Sequence, residues 1–263
     1  MYEKIEKNIL TLLSKKERLT PGQIFAELKY PRRMVMQTIN HLVRNEHLLF
    51  TYELGTAFVR RSYNKPVRVS EHIVLVPPNR SIPKELSSNI AIKIAKGAAF
   101  GDGHHPTTSL IIQLLDKTLY RNNKIAIKKA LDIGTGSGVL AILAAKLGAE
   151  NVIATDIDPI AIYEAQINVK INQLTDCITL IKSDEFPDNT YQLILANLRY
   201  PTLINIAEKL NQLIDKPGYV ICSGYTNDES KSLTNIFKQH SLVCMYNSKQ
   251  NKWAGGVFWK ETM

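Results

Sequence analysis

The sequence predicts an α/β protein in which a small domain of helices and a hairpin precedes a doubly wound, seven-stranded sheet. Three observations support this fold class. Seven short apolar segments recur between residues 130 and 259, and helical patterns separate the first five of them. In the first 65 residues, apolar residues are spaced as in amphipathic helices and are followed by a glycine-containing turn.

The N-terminal part is expected to form three helices and then a hairpin. Apolar residues share one stripe within 2–14 and again within 31–45, and Thr20-Pro21 is typical of a helix start. Apolar stretches at 47–52 and 57–61 flank a turn that contains Gly55. Over roughly residues 1–65, this order of elements resembles the winged-helix family.

In winged-helix proteins the third helix and the hairpin are the usual nucleic-acid contacts. The resemblance therefore implies a docking surface made of Arg32, Arg33, Gln37, Asn40, Arg44, Arg60 and Arg61. Winged helices also dock on proteins or serve a structural role, and both alternatives stay open here.

Positive charge is concentrated in the same part of the chain. The net charge is +9; the first 80 residues hold 14 Lys plus Arg against 7 Asp plus Glu, and the other 183 hold 19 against 17. The net charge is therefore +7 in the first 80 residues and +2 in the remaining 183. This asymmetry favours a polyanionic partner such as RNA, DNA or a ribonucleoprotein, and a solubilising surface is the alternative.

The composition argues against several classes of protein. No run of about 18 apolar residues is present, so we expect no membrane span, and the N-terminus lacks the apolar core of a signal peptide. Three widely spaced cysteines without a Cys-x-x-Cys pair indicate neither a disulfide framework nor a zinc site. We therefore expect a cytoplasmic protein with domains at 1–65 and 89–263, joined by a connector at 66–88.

The second domain alternates strands and helices. The predicted strands are 130–133, 152–155, 178–181, 193–196, 219–222, 242–246 and 253–259. The predicted helices are 138–147, 159–172, 201–213 and 227–238. Since only a short turn separates the last two strands, a closing hairpin and an antiparallel edge strand are expected.

A glycine-rich segment, LDIGTGSG at 131–138, lies where the first strand of this sheet meets the first helix. Gly134, Gly136 and Gly138 allow a sharp turn and a close approach to a ligand at the carboxyl edge of the sheet. A dinucleotide fingerprint would need its third glycine at position 139, which is Val139. The spacing is instead similar to the glycine loop of S-adenosylmethionine methyltransferases.

Acidic residues around this segment suit the same cofactor, which carries a cationic sulfonium and an ammonium but no phosphate. Asp132 stands two residues before the first glycine, as in those enzymes. Asp156 ends the second strand, where a carboxylate can accept hydrogen bonds from ribose hydroxyls. Asp184, after the third strand, matches the position that usually lies near the adenine.

A longer resemblance covers about residues 89–263. The segment AFGDGHHPTT at 99–108, followed by DIGTGSGVLAILAAKLGA and by ANL at 196–198, resembles the ribosomal protein L11 methyltransferase family. The resemblance implies that Phe100 and Thr107 help to enclose S-adenosylmethionine and that Asn197 lies beside the transferred methyl group. It also implies an amine of a ribosomal or translation-associated protein as acceptor.

Two features depart from that family. Asp102 stands where the family usually has threonine, and the family's own N-terminal domain is a small α/β unit rather than a winged helix. The pair His104-His105 does not predict a metal site, because adjacent histidines point to different faces and no further ligand cluster is apparent.

Two alternatives remain at this point. The segment NLRY at 197–200 keeps the first and last residues of the Asn-Pro-Pro-Tyr motif of enzymes that methylate planar nitrogens, which favours an RNA or DNA methyltransferase that receives a flipped base. Both inner prolines of the motif are missing, however, and core packing or a helix start explains Tyr200 better. The second alternative is a transcription regulator that senses the cofactor without transferring its methyl group.

Overall fold

The computed structural model describes residues 1–16, 18–62, 64–95, 97, 100, 105–120, 126–187 and 189–260. The chain divides into two compact units, Met1–Val67 and Arg68–Met263. None of the helices that the structure describes has both the length and the apolar character needed to cross a membrane.

The first unit consists of three helices and a hairpin, as predicted. Its elements are α1 (Tyr2–Lys15), α2 (Pro21–Leu28), α3 (Arg32–Arg44), β1 (Leu48–Glu53) and β2 (Thr56–Arg61). The predicted helix start at Thr20 is confirmed: Thr20 Oγ1 accepts from Gln23 N at 3.2 Å, and Gln23 Oε1 accepts from Thr20 N at 2.8 Å. Buried side chains from all three helices and both strands form one apolar cluster, which includes Ile5, Ile9, Ile24, Ile39, Leu48 and Val59.

Three short strands follow along the chain. They are β3 (Val67–Arg68), β4 (Ile73–Val76) and β5 (Ile90–Lys93), and they form a sheet in the order β3-β4-β5. The expected connector at 66–88 thus contributes strands of its own. Ile73, Leu75 and Ile92 are buried in the same apolar cluster as the first helices of the large sheet.

The large sheet has seven strands in the order β11-β12-β10-β9-β6-β7-β8. They are β6 (Lys129–Ile133), β7 (Asn151–Asp156), β8 (Ile178–Lys182), β9 (Tyr191–Asn197), β10 (Ile214–Thr226), β11 (Val243–Gln250) and β12 (Trp253–Lys260). Strands β6 to β10 are parallel, whereas β12 pairs antiparallel with both β10 and β11. The predicted hairpin is confirmed, and its antiparallel strand β12 lies between β10 and the edge strand β11.

Helices cover both faces of this sheet. They are α4 (Pro106–Leu115), α5 (Val139–Lys146), α6 (Pro159–Ile171), α7 (Tyr200–Asn205), α8 (Ala207–Leu213) and α9 (Ser230–Gln239). Alternate strand residues enter two separate apolar clusters: Leu193 packs with α4 and α5 on one face, and Ile194 packs with α7, α8 and α9 on the other. The doubly wound α/β fold is therefore confirmed.

One predicted helix differs from the structure. The segment 201–213 forms two helices, α7 and α8, which meet at Ile206. The apolar spacing continues across the break, because Leu203, Ala207 and Leu210 all face the core. Neither glycine nor proline marks the junction, so periodicity alone predicts one continuous helix.

Candidate active site

A cavity of about 790 Å³ opens at the carboxyl edge of the sheet, where the parallel strands β6 to β9 end. Its size lies within the range of small-molecule sites. The structure brings together at this cavity seven of the residues expected to serve the reaction, namely Phe100, Thr107, Gly134, Gly136, Asp156, Asp184 and Asn197.

The glycine loop after β6 approaches two other parts of the chain closely. Gly136 has a φ of 54°, and a Cβ placed there would lie 2.2 Å from the carbonyl oxygen of Phe100. A Cβ on Gly134 would lie 2.8 Å from Leu198 Cδ2. Side chains at these positions would have to displace backbone or the half-buried side chain of Leu198, so the loop needs glycine for space as well as for conformation.

Asp156 connects this loop to the end of β7. Its Oδ2 accepts a hydrogen bond from Gly136 N at 2.9 Å, and its Oδ1 accepts one from Asp158 N at 3.0 Å. The neighbouring backbone is also joined, because Thr135 N donates to Thr155 O at 2.9 Å. The carboxylate is therefore held in place at the cavity wall by two backbone amides.

Asp132 and Gly138 lie beneath the loop and are not among the residues that line the cavity. Asp132 is fully buried; its Oδ2 accepts from Thr135 Oγ1 at 2.7 Å and from Ala141 N at 3.1 Å. Its Oδ1 has no hydrogen-bond partner among the described residues. Burial raises the pKa of this carboxyl to about 7, although the hydrogen bond from Thr135 opposes that rise.

Asn197 is the last residue of β9, the strand that pairs with β6, and it lines the cavity. Its Nδ2 donates to Thr108 Oγ1 at 3.1 Å. The following residue, Leu198, is packed closely by β10: Gly224 has a φ of 98°, and a Cβ there would lie 2.2 Å from Leu198 O. Asn197 thus stands on a segment with little room to move.

The start of α4 supplies the opposite wall. Pro106 is the first helical residue, as expected, and the N-cap is His105, whose side chain accepts from Thr107 N. His105 Nδ1 lies 2.7 Å from Thr107 Oγ1, and the Thr107 side chain is buried. Of the segment 99–108, Asp102 and His104 lie outside the described residues.

Several cavity residues were not predicted. At the cavity, the centroid of the His105 ring lies 5.0 Å from that of Phe100 and 5.2 Å from that of Trp253, so His105 neighbours both aromatic rings. Trp253 comes from β12, and only the sheet topology brings it here. Ile157, Phe186 and Arg199 lie within four residues of the ends of β7, β8 and β9, and this position in the sequence could have identified them.

The predicted docking residues lie in the first unit. Arg33, Gln37, Asn40 and Arg44 are exposed and share one stripe of α3, and Arg32 is exposed beside them. Arg60 and Arg61 are half-buried neighbours on β2, so their side chains leave opposite faces of that strand. Arg61 lies beside Glu3 and Glu6 of α1.

Metal-ligating side chains are not clustered in the part of the chain that the structure describes: no three of His, Cys, Asp or Glu converge there. Cys177, Cys222 and Cys244 are free thiols.

Comparisons with known proteins identify the family. The model of the family "Ribosomal protein L11 methyltransferase (PrmA)" matches residues 57–261, a longer stretch than the 89–263 expected from motifs. A ribosomal protein L11 methyltransferase of Anoxybacillus flavithermus is 35% identical over 174 residues, which are 65% of this chain and 54% of the relative. The Bacillus subtilis protein of the same name is 28% identical over 235 residues, 83% of this chain and 72% of the relative.

Solved structures agree with these matches. A crystal structure of ribosomal protein L11 methylase from Lactobacillus delbrueckii subsp. bulgaricus matches with a TM-score of 0.66 and 27% identity, over 75% of this chain and all of that one. A methyltransferase from Pyrococcus furiosus shares the fold, with a TM-score of 0.54 and 18% identity over 65% of this chain and 90% of that one.

The chain spans only part of the curated relatives' length, 54% of the Anoxybacillus flavithermus protein and 72% of the Bacillus subtilis protein. The family match nevertheless extends over most of the chain, from the hairpin of the first unit to the last strand of the sheet. This protein therefore belongs to the ribosomal protein L11 methyltransferase family.

Proposed function

We propose that this protein is an S-adenosylmethionine-dependent methyltransferase that modifies an amine of ribosomal protein L11. The observation that carries the proposal is the hydrogen bond between Asp156 and Gly136 at the cavity wall, in a chain that belongs to a methyltransferase family. It joins the two sequence features that suit this cofactor, a glycine loop and a carboxylate one strand away.

The residues at the cavity fit S-adenosylmethionine in shape and in charge. Gly134 and Gly136 line the cavity without side chains, so a ligand can approach the backbone of the loop there. Asp156 and Asp184 offer carboxylate acceptors for ribose hydroxyls and adenine, and the described residues that line the cavity include no lysine. The aromatic rings of Phe100 and Trp253 suit a cationic group. When bound, the cofactor supplies a methyl group on a positively charged sulfur.

Asn197 is proposed to orient the acceptor amine. Because Asn197 Nδ2 donates to Thr108 Oγ1, its carbonyl oxygen is the atom assigned to accept from an incoming N–H group. A lysine amine must first lose its proton, since its ordinary pKa is about 10.4. The apolar side chains of Leu198, Ile206 and Trp253 on the cavity wall would favour the neutral amine by excluding water.

The acceptor is inferred from the relatives, which are named for ribosomal protein L11. An observation on Tyr200 argues against a flipped nucleic-acid base as the acceptor. The Tyr200 hydroxyl lies 2.9 Å from Ser232 Oγ, and its ring packs against the apolar cluster beneath α7 and α9. Tyr200 is also not among the cavity residues, so core packing accounts for it.

We also propose that the exposed stripe of α3 contacts RNA near the substrate. The helix carries Arg32, Arg33 and Arg44 and no acidic residue, and its first turn holds two arginines at the end where the helix dipole disfavours cations. A polar, positively charged face without apolar anchors is typical of nucleic-acid contacts rather than protein docking. Since Arg60 and Arg61 point away from each other, the proposed surface centres on α3.

Methyl transfer from radiolabelled cofactor tests the proposed activity. We expect label in purified ribosomal protein L11 when it is incubated with this protein, and resistance of that label to nuclease. Label in nuclease-sensitive material would instead support the nucleic-acid alternative. Tight cofactor binding without transfer to ribosomes, L11 or RNA would support the sensor alternative.

A further inference from the structure

Asn168 on α6 connects the glycine loop to the segment that precedes Phe100. Its side chain is 1% exposed. Asn168 Nδ2 donates to Ser137 O at 2.8 Å, and Asn168 Oδ1 accepts from Ala95 N at 2.9 Å. One buried amide therefore satisfies a carbonyl of the loop and an amide of the chain after β5.

The amide nitrogen of Ser137 is hydrogen-bonded as well. Ser137 N donates to Phe100 O at 2.8 Å, the same oxygen that a Cβ on Gly136 would meet. Asn168, Ser137 and Phe100 thus hold together three parts of the chain: α6, the glycine loop and the segment that contributes Phe100 to the cavity.

The face of α6 toward the loop has small residues before Asn168. Ala161 lines the cavity, and Ala165 lies 3.2 Å from the position of a Cβ on Gly138. Positions 161, 165 and 168 share one face of a helix. Close packing of that face brings Asn168 within hydrogen-bond distance of the loop.

We propose that Asn168 is a positioning residue for the cofactor, acting through its hydrogen bond to Ser137 on the glycine loop, while the hydrogen bond from Ala95 N fixes the orientation of the Asn168 amide. The inference rests on the proposed function, because it takes this loop to be the cofactor site. Truncation of Asn168 would remove its hydrogen bonds to Ser137 O and to Ala95 N. The glycine loop would then lose a hydrogen bond that holds it against α6, and cofactor affinity would fall.

Asn172 offers a matched control one turn further along α6. Its Oδ1 accepts from Lys93 N at 3.0 Å and its Nδ2 donates to Lys93 O at 2.7 Å. Asn172 thus makes two hydrogen bonds to Lys93, the last residue of β5, whereas Asn168 makes one to Ala95 and one to Ser137. The hydrogen bonds of Asn172 go to Lys93 and to Asn168 O rather than to the glycine loop.

Calorimetric titration of the full chain with S-adenosylhomocysteine tests the inference. For Asn168→Ala we expect an affinity loss of about tenfold or more, and for Asn172→Ala a change of less than about threefold, because only the first removes a hydrogen bond to the glycine loop. Asn168→Asp keeps the acceptor for Ala95 but loses the donor for Ser137, so its affinity should fall as well. Circular dichroism at the titration temperature identifies the variants that are folded.

Three results would overturn the inference. The first is parental affinity in a folded Asn168→Asp or Asn168→Ala variant. The second is an equal loss of affinity in Asn172→Ala and Asn168→Ala, which would indicate a general effect of helix packing. The third is a failure of the parent protein to bind S-adenosylhomocysteine, in which case the proposed function would fail first and this inference with it.

Steady-state assays give a second readout. In Asn168→Ala the KM for the cofactor should rise while kcat changes little.

Discussion

Asp156 and Gly136 are 20 residues apart in the sequence, yet the carboxylate of the first accepts a hydrogen bond from the amide of the second at 2.9 Å. The parallel pairing of β6 and β7 brings them together, because it places both strand ends at the same edge of the sheet. A carboxylate and a glycine loop thereby form one continuous wall of the cavity.

Replacement of Asp156 should abolish most cofactor binding. In Asp156→Ala, Gly136 N loses its acceptor and the cavity loses a carboxylate, so affinity for S-adenosylhomocysteine should fall by about tenfold or more. Asp158→Ala is a suitable control, because Asp158 also lines the cavity but its Oδ1 caps α6 by accepting from Ile160 N at 2.8 Å. Equal losses in the two variants would argue against a specific role for Asp156.

Gly136→Ala should weaken cofactor binding through a steric clash. The new Cβ would lie 2.2 Å from Phe100 O, so the loop or the Phe100 segment must shift. Gly148→Ala is the control that separates backbone strain from the steric clash. Gly148 also has a positive φ, of 104°, but nothing lies within 4 Å of the position of its Cβ. Both variants should lose about 1 kcal/mol or more of stability from the left-handed backbone, whereas only Gly136→Ala should lose affinity. Thermal unfolding and calorimetry measure the two effects, and Gly136→Val should be more severe.

Asn197→Ala should reduce turnover while sparing cofactor affinity, since its proposed partner is the acceptor amine. Loss of one orienting hydrogen bond is expected to lower kcat on L11 by about tenfold or more. Thr108→Val, which removes the group that holds Asn197 Nδ2, should give a smaller decrease. Asn205→Ala, at an exposed position on α7, is the control. Parental turnover of Asn197→Ala would refute the assigned role.

Asp132 should make stability depend on pH. Its pKa is raised from 3.8 to about 7 in the folded protein, so folding is favoured while the group is protonated. The contribution is complete below pH 4 and is lost as the pH rises through about 7. Asp132→Asn has no proton to lose, so its free energy of unfolding should gain on that of the parent between about pH 4 and pH 7. Parallel pH curves from urea unfolding would contradict this expectation.

Charge reversal on α3 should weaken RNA binding. We expect Arg33→Glu with Arg44→Glu to lower affinity for a fluorescent RNA hairpin and to reduce the salt slope by about one for each lost phosphate contact. Lys4→Glu with Lys7→Glu makes the same charge change on exposed positions of α1. Fluorescence anisotropy at several salt concentrations compares the pairs. Equal losses would mean that net charge, and not the α3 stripe, determines binding.

Much of the fold was predictable because local signals agree with it. The strand starting near Ala130, the helix cap at Thr20 and the hairpin around Gly55 all have short-range causes. The break at Ile206 does not, since apolar spacing continues through it.

The cavity was predictable where motif and strand end coincide, as at Gly136, Asp156 and Asn197. Trp253 was not, because its place depends on β12 inserting beside β10. Asn168 was missed for another reason: its partners, Ser137 and Ala95, become neighbours only when α6 packs on the sheet.

Separate titrations of the parent protein with S-adenosylmethionine and with a nicotinamide dinucleotide test the proposed cofactor site most directly. We expect saturable binding of S-adenosylmethionine at one site, competition by S-adenosylhomocysteine and no binding of the dinucleotide. Binding of the dinucleotide without binding of S-adenosylmethionine would contradict the account.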